Sequence, residues 1–160
     1  MPTAVPAIPG EPALFPGRVF HRDPTGFRIA VFSGWARSNV GSLVCFRETR
    51  GVRVLAVDQD AAKVTDPSAE AERREAPWRE AAGLKEYVRL GLKPRPFVGG
   101  PGAELEYTYL DQTGERMHGI NLYVATPTRV YTIYWLAADS DWPAQLDNYR
   151  NLTIAFLPAS

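Results

Sequence analysis

The chain has one cysteine, Cys45, so no intrachain disulfide can form. That cysteine lies within the apolar run LVCF and reads as a small buried hydrophobe. It has two histidines, His21 and His118, far apart in sequence, and no C-x-x-C or H-E-x-x-H. That spacing offers no metal-ligand set, and no motif asks for a cofactor. Charge of one sign is not in excess either: 18 basic residues balance 18 acidic ones. A basic footprint for nucleic acid or an anionic membrane surface is therefore missing, and no nucleic acid is expected as a partner. No apolar run approaches the roughly 18 residues of a membrane span, so this fragment is not expected to insert directly into a membrane.

The machinery of common enzymes is missing too. Neither Ser33 nor Ser42 sits in G-x-S-x-G. The loop Gly99-Gly100-Pro101-Gly102 has no following lysine, and it leads into a strand where a phosphate cradle needs a helix. There is no H-R-D, no D-F-G and no glycine-rich loop followed by a strand lysine, so protein-kinase chemistry is excluded for this stretch. Asp58 and Asp60 close the run VLAVDQD as residues that end a strand, or as two carboxylates that bind a cation or act as an acid/base pair.

What is present suits one soluble domain. A chain of 160 residues, 45% hydrophobic and 22% charged, can bury roughly 68–70% of its unfolded surface. Five prolines in the first 16 residues make residues 1–17 an extended spacer and residues 18–160 the globular domain. FRIAVF (27–32) reads as a strand broken by Ser33-Gly34-Trp35. LVCFRE and VRVLAVDQ form a hairpin. Val44, Phe46, Leu55 and Val57 fall on one side of it, and Leu43, Cys45, Val54 and Ala56 on the other. Strands apolar on both sides belong inside a sheet covered on both faces.

A helix follows, with Asp66 as its cap and Pro67 in its first turn. Glu70–Arg74 and Glu75–Arg79 have i,i+4 spacing, and Pro77 predicts a break near Ala76. Gly83 ends the helix. GLKEYVRLGL is a strand, and three more strands follow at 103–110, 116–125 and 129–136. A closing amphipathic helix carries Trp142, Leu146, Tyr149 and Phe156, with Ser140 or Asp141 as its cap. The order of elements predicts an α+β fold with an antiparallel sheet.

Two turns set the register of the last three strands. With four-residue loops at 111–114 and 126–129, Leu105 faces Ile120 and Trp135, and Ala103 faces Leu122 and Ile133. Tyr107 then meets His118. The opposite face carries Glu104, Asn121 and Tyr134 in a row, flanked by Tyr123. This face is either tyrosine packing under a helix or a shallow recognition surface. Glu104, Asn121, Tyr123, Tyr134 and Trp35 are accordingly the candidate ligand-binding residues, with no catalytic residue and no metal ligand assigned.

GFRIAVFSGW, FRETRGVRVLAVDQD, DPSAEAERREA, ELEYTYLDQTGERMHGINL and YTIYWLAADSDW together resemble the PsbP/Mog-like superfamily. More narrowly, they resemble the C-terminal domains that actinobacterial transmembrane serine/threonine protein kinases and related lipoproteins carry outside the cell. The resemblance covers roughly Val19 to Phe156. It implies an α/β/α sandwich, a central and mainly antiparallel sheet with helices packed on it. It also implies a non-catalytic sensing or interaction domain at the cell surface, with a ligand or protein partner of unknown identity and the proline-rich segment as tether to a membrane span. Two other readings remain open: a small hydrolase or isomerase using His118 with Asp58 or Asp60, and a protein-binding accessory module without a small ligand.

Overall fold

The computed structural model of the chain describes residues 11–97 and 100–159. Most of the expected spacer, residues 1–10, lies outside them, as does Gly99 of the glycine loop. The described remainder of the spacer is held against the domain. Glu11 accepts hydrogen bonds from Arg22 and Arg28, each at 3.0 Å, and Leu14 packs on the core.

Strands β1 (Arg18–Arg22) and β2 (Arg28–Phe32) pair as a separate hairpin. The main sheet contains β3 (Ala36–Val40), β4 (Leu43–Arg47), β5 (Val54–Asp60), β6 (Lys85–Pro94), β7 (Gly102–Leu110), β8 (Arg116–Ala125) and β9 (Val130–Ala138). Its order is β3-β4-β5-β9-β8-β7-β6, and all six pairings are antiparallel. Helix α1 (Pro67–Ala81) lies on one face, over β6, β7 and β8. Helix α2 (Trp142–Ile154), entered through a 3-10 turn at Asp139–Asp141, covers the other face together with the β1–β2 hairpin. The result is the expected α+β sandwich. β3 was not foreseen: its five residues are all exposed at the sheet edge, with no apolar alternation to betray them.

The β4–β5 hairpin has the expected register, Val44 opposite Val57 and Phe46 opposite Leu55. So has β8–β9: Ile120 faces Trp135, Leu122 faces Ile133 and Asn121 faces Tyr134. The β7–β8 register differs by one residue. Leu105 faces Asn121, Glu104 faces Leu122, and Tyr107 faces Gly119, so His118 stands opposite Thr108 and not Tyr107. The cause is the turn. Asp111 N–H donates to the Glu115 carbonyl at 2.9 Å, which leaves three residues between them, and Gly114 is left-handed at φ 85°. That is a type I turn followed by a glycine bulge, one residue longer than a four-residue loop from 111 to 114. A one-residue slip turns every side chain of a strand over. Leu105, Tyr107 and Tyr109 therefore build the core under α1 with Met117 and Tyr123, while Trp135 and Ile120 lie on the α2 face.

Helix α1 begins as expected, with the Asp66 carboxylate accepting from the Ser68 and Ala69 amides and Pro67 in the first turn. It does not break near Ala76. Pro77 removes one helical hydrogen bond, but tertiary contacts hold the segment through it. Trp78 meets Tyr107 edge-on at 4.9 Å, and Glu75 accepts from the Tyr87 hydroxyl at 2.6 Å and from Arg89 at 2.5 Å. The Glu70–Arg74 pair forms at 2.6 Å, whereas Glu75 is taken by Arg89 and Arg79 lies over the Tyr87 ring. No side-chain cap bond forms at the start of α2.

Candidate functional site

Helix α1 covers β6 to β8 but leaves the same face of β4 and β5 uncovered. The second apolar set of the β4–β5 hairpin points there: Cys45, Val54 and Ala56 form a small cluster with Leu43, Tyr134 and Leu136. Where the end of α1 stands beside this cluster, the surface opens into a cleft of about 480 Å³, within the roughly 300–1,000 Å³ of small-molecule sites. Its floor is Cys45, Val54, Ala56 and Leu136, and its wall is Trp78, Leu84, Tyr107 and Tyr134. The helix stop makes the wall: Gly83 takes φ 63°, and the chain turns directly into β6. Glu86, just beyond, is the one described non-glycine residue with positive φ, at 48°. Backbone held in that region is strained, and such strain concentrates at functional sites.

Burial sets the electrostatics of the wall. It pushes the Tyr107 phenol well above its usual value and raises those of Tyr109 and Tyr134, so all three are neutral donors at physiological pH. The Tyr107 hydroxyl donates to Asn121 Oδ1 at 2.7 Å, which locks its ring against Gly119. At the rim stand Arg47, Lys85, Asp58 and Asp111. Both carboxylates are engaged locally. Asp58 accepts from Ser42 Oγ at 2.5 Å, and Asp111 accepts from Thr113 and the Glu115 amide of its own turn. The Thr113 hydroxyl and these amides hold the Asp111 carboxyl below the usual aspartate range.

The expected site residues do not form one surface. Tyr134 lines the cleft. Tyr123 and Asn121 share its face but are fully covered, and Tyr123 backs a shallower opening beside Arg74 and Asp60. Glu104 is on the other face, because of the β7 register. There it pairs with Arg95 at 3.3 Å, and Arg95 also donates to the Tyr149 hydroxyl. Trp35 is on that face too, stacked between Phe32 at 4.8 Å and Trp135 at 6.0 Å with Arg53 over its ring. It is a packing element.

The acid/base reading involving His118 fails on geometry. His118 belongs to the α2 face, bonded to Glu106 at 2.7 Å and Asp139 at 2.8 Å and stacked on Trp142 at 3.8 Å. Asp58 and Asp60 project from the α1 face, where Asp60 pairs with Arg74 at 2.8 Å. The sheet stands between them. His21 is bonded to Asp23 and packed on Phe27 and Phe46. Among the described residues no three His, Cys, Asp or Glu side chains converge on a metal position. The cleft has an apolar floor and a polar rim.

Sequence reasoning missed Leu43, Leu84, Tyr107 and Tyr109 as cleft residues. The signal that could have found the floor was the apolar second face of the β4–β5 hairpin beside a helix too short to cover it.

The family described as "Serine/threonine kinase C-terminal domain" matches residues 19–158. No curated protein matches the sequence. Among solved structures, cyanobacterial PsbP (CyanoP) from Synechocystis superposes with a TM-score of 0.73 at 16% identity, covering 96% of this chain and 98% of that one. LpqN, described as involved in cell envelope biogenesis of Mycobacterium tuberculosis, gives 0.58 at 14% identity, covering 88% and 90%. A Pseudomonas aeruginosa protein of unknown function gives 0.59 at 12% identity, covering 89% and 98%. At these identities the likeness establishes the fold, which is PsbP-like.

Proposed function

The chain belongs to the serine/threonine kinase C-terminal domain family, and from that premise we propose that it is a non-catalytic sensing domain carried outside the cell by a membrane-anchored, actinobacterial kinase. The observation that carries this reading is the cleft beside α1: its floor is apolar, it opens to solvent, and the carboxylates at its rim are engaged, Asp58 by Ser42 and Asp111 by its own turn. Phosphoryl transfer needs parts that this sequence does not contain. No described helix is long and apolar enough to cross a membrane. In this reading the proline-rich stretch of residues 1–17 serves as the tether. Placement at the cell surface is supported by the structural neighbour whose description concerns the cell envelope. In this reading a ligand in the cleft braces the end of α1 against β4 and β5. It thereby biases the domain's association, and the tether passes that bias on.

A ligand-free protein-binding module is the weaker reading. Among the described residues the large exposed apolar side chains are Phe15, Val19, Val40, Val52, Val88, Leu90 and Ile154, divided among β1, β3, β6, α2 and loops. Of these, Val40 and the pair Val88 and Leu90 lie on opposite edges of the sheet.

The test is to delete residues 18–159 from the parent kinase. Basal autophosphorylation should persist while the response to cell-wall extract disappears, and protease added to intact cells should digest the domain. Loss of phosphoryl transfer itself, or full protection from external protease, would overturn the proposal.

A further inference from the structure

The cleft is polarised. On β4 and β5 the row Arg47–Val54 stands at one end, next to Tyr109 and Gln112 and to Lys85 at the foot of β6. Asp58 marks the other end, four residues further along β5, which is roughly 13 Å of extended strand. Between them the floor is apolar throughout. The two cations at the first end have no ion-pair partner among the described residues. Of the acids beside this end, the Asp111 carboxylate is hydrogen-bonded into its own turn, and Glu86 pairs with Arg116 at 3.5 Å. Most other arginines on this face are paired, Arg73 and Arg74 with Glu70 and Arg89 with Glu75. Two unpaired cations at one end of an apolar trough are complementary to a molecule with one negative end and one apolar body.

Resting on the reading of the cleft as a ligand site, we propose that its ligand is an anionic amphiphile of the fatty-carboxylate class. The carboxylate sits between Arg47 and Lys85. The chain lies over Val54, Ala56 and Cys45 toward Asp58, with Trp78 and Tyr134 against its flank. Burying a chain there removes apolar surface on both sides from water, which supplies the bulk of the affinity. The exposed cations add selectivity for a charged head group, and their contribution falls with salt.

Calorimetric titration of the intact chain with octanoate and with octanol separates the two components. Octanoate is expected to bind roughly tenfold tighter than octanol at low ionic strength, the worth of two exposed charge contacts. The double variant Arg47→Gln with Lys85→Gln should bring octanoate to the affinity of octanol and leave octanol unchanged. Both positions are exposed, so an unaltered melting temperature will show that the variant folds. Equal binding of acid and alcohol, or no effect of the double variant, would overturn this inference and leave the apolar cleft standing. Binding of neither molecule would overturn both.

Discussion

Gly119 is a residue where the fold tolerates no side chain. A Cβ there would stand 2.6 Å from Leu136 Cδ2 and 2.7 Å from the Tyr107 hydroxyl, both of which help shape the cleft. Gly119→Ala should cost about 1–3 kcal/mol of unfolding free energy through overpacking. Urea denaturation measures it, and a change within about 0.5 kcal/mol, ordinary for a surface position, would show that Tyr107 is not packed as described. Individual residues were unevenly legible in the sequence. Tyr134 announced itself by alternating with core residues in its strand. Tyr107 falls on the opposite side from the one expected, because its side is set by the length of the Asp111–Glu115 turn, which composition does not reveal. Cys45 was read correctly as a buried hydrophobe, yet nothing in LVCF says that the helix facing it stops short.

At the scale of elements, the sequence spoke clearly where hydrophobic alternation and turn chemistry agreed. The β4–β5 hairpin and the Thr126–Arg129 turn are of that kind. It misled where a glycine could take either of two turn geometries: Gly114 at φ 85° lengthened the β7–β8 connection by one residue and moved Glu104 away from Asn121 and Tyr134. Local propensity also lost to packing in α1. Pro77 sits inside a continuous helix, where proline costs about 3 kcal/mol relative to alanine. Pro77→Ala should therefore raise the melting temperature, because it restores a helical donor without disturbing Trp78. A lowered melting temperature would mean that Pro77 makes contacts of its own that outweigh the helical bond.

For the whole molecule, ionisation bounds the stable range from both sides. Arg53 holds the Glu48 carboxyl below its usual range, Arg73 does so for Glu70, and Arg89 for Glu75. Their contribution is complete above the unfolded glutamate value near 4.5 and is lost as pH falls through the lowered folded values. Burial raises the Tyr109, Tyr123 and Tyr134 phenols, so their contribution is complete below the unfolded value of 10.0 and is lost as pH rises through the raised ones. The urea midpoint should accordingly be flat near neutrality, fall between about pH 5 and about pH 3, and fall again above about pH 10. A midpoint unchanged down to about pH 3 would mean that the three glutamate–arginine pairs add nothing to stability.

The same two-sided core lets the sheet carry α2 and the hairpin on one face and, on the other, α1 over β6 to β8 with a cleft beside it over β4 and β5. That cleft is the claim on which the functional account depends. Amide chemical-shift mapping of the isotope-labelled chain during titration with octanol tests it most directly. Perturbations are predicted to cluster at Cys45, Val54 to Ala56, Ala82 to Lys85 and Tyr109 to Gln112. Perturbations gathered instead around Trp35, Glu104 and Tyr149, on the far side of the sheet, would contradict it.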